Sequence, residues 1–362
     1  KSFFNLVLLA QEAYCNFDAI VRAFYRKYIS GKNLLEWTTA AQGEKRSTGV
    51  LGTLKFCWFS EVMGILLLLS PHSSIRIFGI FFVLAWLLVF ASSERYREKK
   101  RSVTEEQSSD LISQAAMMFR YYTDYCTASE NYLPPDNVQQ APVYRVAHRT
   151  SPTNIGMYLL SVLSARDFQL IDSKTMSAML GNTVTTIERM KKWHGNLYNW
   201  YDTRTLSVLQ PAYVSAVDSG NLACCLVALK EGIAEYEFEE PSLKEIKSRL
   251  EELINHTDLT PFYDKNKKLF SIGYDEPNQQ MSRSHYDMLM SEARMTSYLA
   301  VATRQVPRNH WGALSRTLVK LHSYFGPVSW TGTMFEYFMP ELLLSCPEGS
   351  LGYEGLRFCL YS

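Results

Sequence analysis

Two glutamates stand among neighbours that suit a charge badly. Glu292 has Met288 at i−4, Met295 at i+3 and Leu299 at i+7, so on a helix spanning 283–304 it interrupts an apolar stripe. A carboxyl placed there either pairs with a structural arginine, Arg283 or Arg294, or lines a cavity. Desolvation raises a carboxyl pKa, and a carboxyl still protonated near neutral pH is what general acid catalysis requires. Glu336 lies in Trp330-Thr-Gly-Thr-Met-Phe-Glu-Tyr-Phe-Met-Pro340, between large apolar residues. It reads as a second catalytic candidate or as a helix-entry carboxylate just before Pro340.

Three aspartates occupy turn-like surroundings: Asp136 in Leu133-Pro-Pro-Asp-Asn137, Asp202 in Tyr198-Asn-Trp-Tyr-Asp202 and Asp218 in Val217-Asp-Ser-Gly-Asn221. Most such aspartates close turns or cap helices. Beside Asp202, however, Tyr198, Trp200 and Tyr201 combine flat apolar faces with hydrogen-bonding groups. That mixture matches a sugar, which has apolar C–H faces and hydroxyl edges; the alternative is that these aromatics are core. Other chemistries lack their signatures. The sequence has no Gly-rich phosphate loop, no HExxH and no GxSxG. Its seven histidines are dispersed, so no metal and no cofactor is expected. Lys plus Arg number 37 against 36 Asp plus Glu, which leaves no nucleic-acid footprint.

The elements that must position these residues are mainly helical. Ser102 to Thr104 followed by Glu105 and Glu106 marks a helix start, with the pattern running to about 127. Further helices are expected near 154–167, 174–193, 217–236, 241–256, 283–304 and 308–323, with Pro340 opening a short last one. The best strand is 268–273. The loops 132–153, 195–216, 257–282 and 324–339 are long, polar and aromatic, and loops of that length are uncommon unless functional.

The N-terminal third reads differently. Ile77 to Ala91 runs fifteen residues without a charge, and Phe56 to Ser70 before it is dense in leucine. With the short linker His72-Ser73-Ser74 they form a candidate transmembrane hairpin; a buried soluble hairpin is the alternative. Glu61 weakens the first span, since a carboxylate near a span centre costs roughly 2.5–3.5 kcal/mol. Lys45, Arg46 and Lys55 precede the hairpin, and Arg95, Arg97, Lys99, Lys100 and Arg101 follow it, so both flanks are expected on the cytoplasmic side. Seven scattered cysteines, with Cys224 and Cys225 adjacent, fit a reducing compartment. Tyr14, Phe17, Val21, Phe24 and Tyr28 form one helical stripe flanked by Arg22, Arg26, Lys27 and Lys32. This is either an interfacial helix or the edge of a preceding domain. The expected organisation is a membrane-proximal segment over 1–50, a hairpin with basic flank over 51–101 and a soluble helical domain over 102–362. The chain reads as a fragment of a longer protein.

Taken together, these segments resemble the cyclic β-1,2-glucan synthase family, in its glucoamylase-like middle region. The resemblance is carried by Leu133–Asn137, by Val146-Ala-His-Arg-Thr-Ser-Pro-Thr-Asn-Ile-Gly156 and by Asn199-Trp-Tyr-Asp-Thr-Arg-Thr205. It continues through Val217-Asp-Ser-Gly-Asn-Leu222, Tyr286-Asp-Met-Leu-Met-Ser-Glu-Ala-Arg294 and Thr331-Gly-Thr-Met-Phe-Glu-Tyr-Phe-Met-Pro340. Leu34-Leu-Glu-Trp-Thr-Thr-Ala-Ala41 is similar to the stretch before that family's hairpin. Val138, Thr331 and Thr333 depart from its usual residues.

The resemblance implies a partial (α/α)6 barrel behind the hairpin. It implies a multi-pass protein of the bacterial inner membrane with a preceding glycosyltransferase region, and a middle domain that closes linear β-1,2-glucan into a ring by anomer-retaining transglycosylation. The partners implied are linear and cyclic β-1,2-glucan, membrane lipid and neighbouring domains of the same chain. It places the acid/base at Glu292, with Glu336 as a subsite or supporting residue. The other catalytic carboxylate is expected in a later Gly-Ile-Ser-Glu-Ser-like motif, which leaves the fragment inactive alone. Sugar contacts are expected from Asp136, Asn137, His148, Arg149, Asn154, Trp200, Tyr201, Asp202, Asp218, Asn221, Tyr274, Arg294, Trp330 and Tyr337. A β-glucan hydrolase of the same barrel and a non-catalytic glucan-binding module remain open readings.

Overall fold

The computed structural model describes residues 2–30, 49–93, 103–322 and 324–362. The chain divides into two units, Lys1–Ser102 and Val103–Ser362. The motif at 34–41 and the basic residues at 32, 45–46 and 95–101 lie outside the described residues.

In the first unit, helix α1 (Ser2–Tyr25) is followed by α2 (Val50–Leu68), α3 (Ser73–Val83) and α4 (Ala85–Ser93). The buried residues of α2 are Thr53, Cys57, Ser60 and Gly64, spaced four, three and four apart. Its large apolar residues, among them Phe56, Trp58, Ile65 and Leu66, are exposed. Small residues facing neighbouring helices and large ones facing outward is the inverse of a soluble helix and the arrangement expected in lipid. A Cβ on Gly64 would fall 2.8 Å from the Gly79 carbonyl oxygen, so α2 and α3 cross with their backbones nearly touching. Both Val50–Leu68 and Ser73–Ala91 are long and apolar enough to cross a membrane. Ser73 and Ser74 belong to the first turn of α3, not to the linker, so the turn is tighter than the sequence implied. The anticipated stripe is exposed at Phe17, Val21 and Phe24 of α1 and at Tyr28 in the π-helical turn that follows, whereas Val7 and Gln11 are buried. Tyr14 stacks on Phe59 at 4.9 Å.

In the second unit the helices are α5 (Glu105–Tyr125), α6 (Pro152–Asp167), α7 (Ser173–Arg189), α8 (Ala216–Gly232), α9 (Leu243–His256), α10 (Arg294–Ala302), α11 (Asn309–Ala313), α12 (Met334–Phe338) and α13 (Leu351–Tyr361). Local chemistry sets the starts. Thr104 and Gln107 form a reciprocal capping box on α5. Ser151 caps α6, with Pro152 in its first turn, and Ser215 caps α8. Helices α6 and α8 approach where Gly156 lies against Cys225, and α8 meets α10 where Gly220 lies against Thr296. A Cβ at Gly220 would sit 2.0 Å from the Thr296 hydroxyl, so only glycine permits that crossing. The main core gathers Ile155, Leu159, Leu180, Val184, Leu226 and Leu250 with buried Tyr158, Tyr198 and Tyr201.

Two expected helices are mostly something else. Residues 283–293 are not helical. His285–Tyr286 pairs antiparallel with Leu269–Ser271, which also pairs with Tyr263–Asp264. The expected strand at 268–273 is the centre of that sheet. Sheet pairing overrides local helical periodicity here, and α10 begins only at Arg294. Among residues 308–322, only α11 is helical. Leu318–Leu321 then turns back on Tyr324–Pro327 as a hairpin. Its Gly326 packs directly against Phe358 of α13.

Candidate active site

Several candidate residues sit at the N-terminal ends of packed helices. Thr153 and Asn154 lie on the first turn of α6, Asp218 and Asn221 near the start of α8, and Glu292 in the turn entering α10. The glycine contacts between α6, α8 and α10 therefore bring these positions together from 153, 218 and 292.

Asp218 is held from two sides. The Thr153 hydroxyl donates to its Oδ1 at 2.6 Å. The Asn199 amide, oriented to satisfy its neighbours, donates to Oδ2 at 2.9 Å and accepts from Trp200 Nε1 at 3.2 Å. The guanidinium of Arg149 lies 4.6 Å from the centre of the Trp200 ring and donates to Asp136 at 2.9 and 3.2 Å. Asp136 also accepts from Asn137 at 3.0 Å and, at the long limit of 3.5 Å, from Asn154. One continuous polar-aromatic network thus links Asp136, Arg149, Trp200 and Asp218. On another side, Trp330 lies 5.2 Å from Tyr286 and donates to Asp287 at 3.2 Å.

Glu292 faces this cluster half-buried and accepts no hydrogen bond among the described residues. Burial, then the charge of Asp218, then that of Glu336 push its carboxyl up to about 7. A free acid without a stabilising donor, protonated in part at neutral pH, is equipped to give a proton to a leaving oxygen. The helical stripe used to single it out does not exist. The property that stripe was meant to signal, a carboxyl out of water, does.

Glu336 behaves in the opposite way. Burial opposes its ionisation, but backbone donors from Thr333 and Thr331 and nearby hydroxyls outweigh that and hold its carboxyl below the usual range. Oε2 accepts from the Thr331 and Thr333 backbone N–H groups at 3.0 and 3.1 Å, and from both threonine hydroxyls. Glu336, expected as a second catalytic candidate, is the capping-box residue of α12, and its negative charge acts on Glu292.

The other expected sugar contacts take these places in the structure. Tyr201 is fully buried, its hydroxyl between the Tyr198 N–H and the Lys191 carbonyl. Tyr337 is buried and donates to the Pro327 carbonyl at 2.9 Å. Arg294 is 3% exposed, turned into the interior beside Met290 rather than paired with Glu292. Asn221 is buried and donates to Thr153, which makes it a support for the Asp218 contact. Asp202 closes a turn, accepting from the Arg204 and Thr205 N–H groups at 2.9 and 2.8 Å. His148 lies 3.0 Å from Glu130 and 2.6 Å from Arg204 in a structural ion network. Tyr274 stacks on Trp193 at 4.4 Å. The sequence reading passed over Thr153, Asn199 and Tyr286 as site residues. Asn199 is marked by its place directly before Trp200, and Thr153 and Tyr286 by their places within Val146–Gly156 and Tyr286–Arg294. Among the described residues, no group of three or more His, Cys, Asp or Glu could hold a metal ion.

The resemblance to the cyclic β-1,2-glucan synthases is carried by a curated relative. The chain is 28% identical, over 478 aligned positions, to the cyclic β-(1,2)-glucan synthase NdvB of Rhizobium meliloti strain 1021. That match covers 96% of this chain and spans only 17% of the relative's length. No family model matches the chain. Among solved structures, an endo-β-1,2-glucanase from Chitinophaga pinensis, in complex with sophorotriose and glucose, superposes with a TM-score of 0.61 at 12% identity. The match covers 70% of this chain and 65% of that one. A glucoamylase-like protein from Bacteroides caccae gives 0.58 at 16% identity, covering 69% and 65%. These likenesses establish a mainly helical, glucoamylase-like fold.

Proposed function

We propose that residues 103–362 carry part of the ring-closing site of a β-1,2-glucan-processing enzyme, with Glu292 as its acid/base. The observation that carries the reading is Glu292 itself: half-buried, without a donor, and raised to about 7 by burial and by two neighbouring carboxylates. The extended similarity to a cyclic β-(1,2)-glucan synthase supports the substrate class.

Ring closure exchanges one glycosidic bond for another with retention of configuration. The usual retaining mechanism places a nucleophilic carboxylate about 5–5.5 Å from the acid/base. Glu336 is held by its cap, and Asp218 by Thr153 and Asn199. As the resemblance implies, the nucleophile is assigned to a later Gly-Ile-Ser-Glu-Ser-like motif of the same (α/α)6 barrel. Glu292 protonates the departing sugar oxygen. It then takes the proton of the incoming hydroxyl, which comes from the chain's own far end in cyclisation. Trp200 and Trp330 offer flat faces for sugar rings, and Asp136 and Asn137 offer hydrogen-bonding edges for hydroxyls. The two long apolar helices of the first unit serve in this reading as a bacterial inner-membrane anchor, with residues 103–362 on the cytoplasmic side. Glycosyltransferase and other domains of the same chain flank it.

The endo-β-1,2-glucanase fold relative favours hydrolysis as the second reading. Both readings are tested by incubating the full-length protein with linear β-1,2-glucan and weighing the products. Rings, one water lighter than linear chains of equal length, support transglycosylation; reducing ends without rings refute it. Loss of both products in Glu292→Gln is expected, and unchanged turnover overturns the acid/base role.

A further inference from the structure

The three-stranded sheet that carries Tyr286 has two faces. Register places Tyr263, Phe270 and Tyr286 on one side, with Phe270 and Tyr286 buried. Side chains alternate along a strand, so Asp264, Ser271 and His285 point to the other side. That second face floors a separate cavity of about 480 Å³, whose walls include Lys267, Ser282 and Arg283.

The charges in this cavity do not cancel. Its carboxylate, Asp264, is already fully engaged. Oδ1 accepts from the Asn266 and Lys267 N–H groups at 2.8 and 3.1 Å, and Oδ2 faces His285 Nε2 at 3.1 Å. With Nε2 donating to Asp264, the other ring nitrogen is an acceptor, and Lys267 Nζ lies 3.3 Å from it. Arg283 has no hydrogen-bond or acidic partner among the described residues, and neither does Lys265 beside the cavity. The groups with donors still to give are therefore two cations, Lys267 beyond its contact with His285 and Arg283, and two hydroxyls, Ser271 and Ser282, the latter accepting from the Ser284 N–H at 3.2 Å. Donors with excess positive charge in a concave site match a phosphate group, which an arginine can grip with two nitrogens. The volume exceeds that of phosphate alone, and Pro261 and Met281 provide apolar wall for whatever the phosphate is attached to.

We infer that this cavity binds a phosphate-bearing ligand, on the sheet face opposite the Glu292 cluster. The phosphate comes either from a small soluble ester or from the headgroup of an anionic lipid. The inference is independent of the glucan reading, since it uses none of that site's residues.

The test uses the full chain in neutral-lipid nanodiscs, titrated calorimetrically with inorganic phosphate and glycerol phosphate. A parallel arm measures binding to phosphatidylglycerol vesicles against phosphatidylcholine vesicles. Lys267 and Arg283 are exposed, so Lys267→Gln and Arg283→Gln leave the fold intact, which circular dichroism checks. Phosphate binding weakened at least tenfold by each substitution supports a soluble ligand. Vesicle binding that needs phosphatidylglycerol and is lost in the double variant, without binding of the soluble esters, supports a lipid headgroup. Absence of both, or binding unchanged in the double variant, overturns the site.

Discussion

Replacing Asp218 by Asn removes one of the two charges that raise Glu292 while keeping a side chain able to hydrogen-bond Thr153. The carboxyl of Glu292 rises from 4.5 to about 7, with burial the largest cause, Asp218 second and Glu336 third. Burial is untouched by the substitution, so Asp218 accounts for less than half of the rise, on the order of one pH unit. Glu292 should therefore titrate near 6 in the variant, roughly one unit lower. At pH 7 its protonated fraction should fall from about one half to about one tenth, a roughly fivefold loss of the acid form. The assay is carbon-13 NMR of selectively labelled glutamate, with Glu292→Gln assigning the resonance; it reads the site without needing turnover. A Glu292 pKa that stays put or climbs in Asp218→Asn would refute the charge coupling on which the acid assignment rests.

Two further predictions concern stability. Because the folded-state pKa of Glu292 lies above its unfolded value, the folded state holds the extra proton between about 4.5 and 7. Unfolding free energy should decline as pH rises through that window, and Glu292→Gln should flatten the decline in denaturant titrations at several pH values; an identical slope in the variant would count against it. In the first unit, Gly64→Val drives side-chain atoms into the Gly79 carbonyl and Val83. Overpacking of this kind costs about 1–3 kcal/mol. Disulfide trapping between cysteines introduced on α2 and α3 should fall accordingly, and undiminished trapping would show that the helices do not cross at these glycines.

The contrast between Glu292 and Glu336 shows what kind of information a local pattern holds. Both stand out in the sequence as carboxylates in apolar company; Glu336 is buried and Glu292 half-buried. What distinguishes them is donors: Glu336 has the Thr331 and Thr333 groups within its own turn, and Glu292 has none. The Thr-x-x-Glu capping box of Glu336 is legible in the sequence, in Thr333-Met-Phe-Glu336. The isolation of Glu292 was not legible, because it depends on how α8 and α10 meet at Gly220 and Thr296.

The same division runs through the fold. Sequence alone determined the apolar helices at 56–70 and 77–91, which in the structure run over 50–68 and 73–91, the start of α5 at Thr104, and the helices near 154–167, 174–193 and 217–236. Each is encoded by residues within a few turns of one another, through caps, periodicity and runs of apolar side chains. Only the tertiary structure decided that 285–286 is a strand, that 318–327 is a hairpin, that Tyr201 and Tyr337 are core, and that Asp218 and Glu292 share a site. Those outcomes depend on partners far away in sequence: Leu269–Ser271 for the strand, Phe358 against Gly326 for the hairpin, and the α6–α8–α10 crossings for the site. A pairing that satisfies backbone hydrogen bonds and buries apolar surface together outweighs the fraction of a kcal/mol per residue that local propensity contributes.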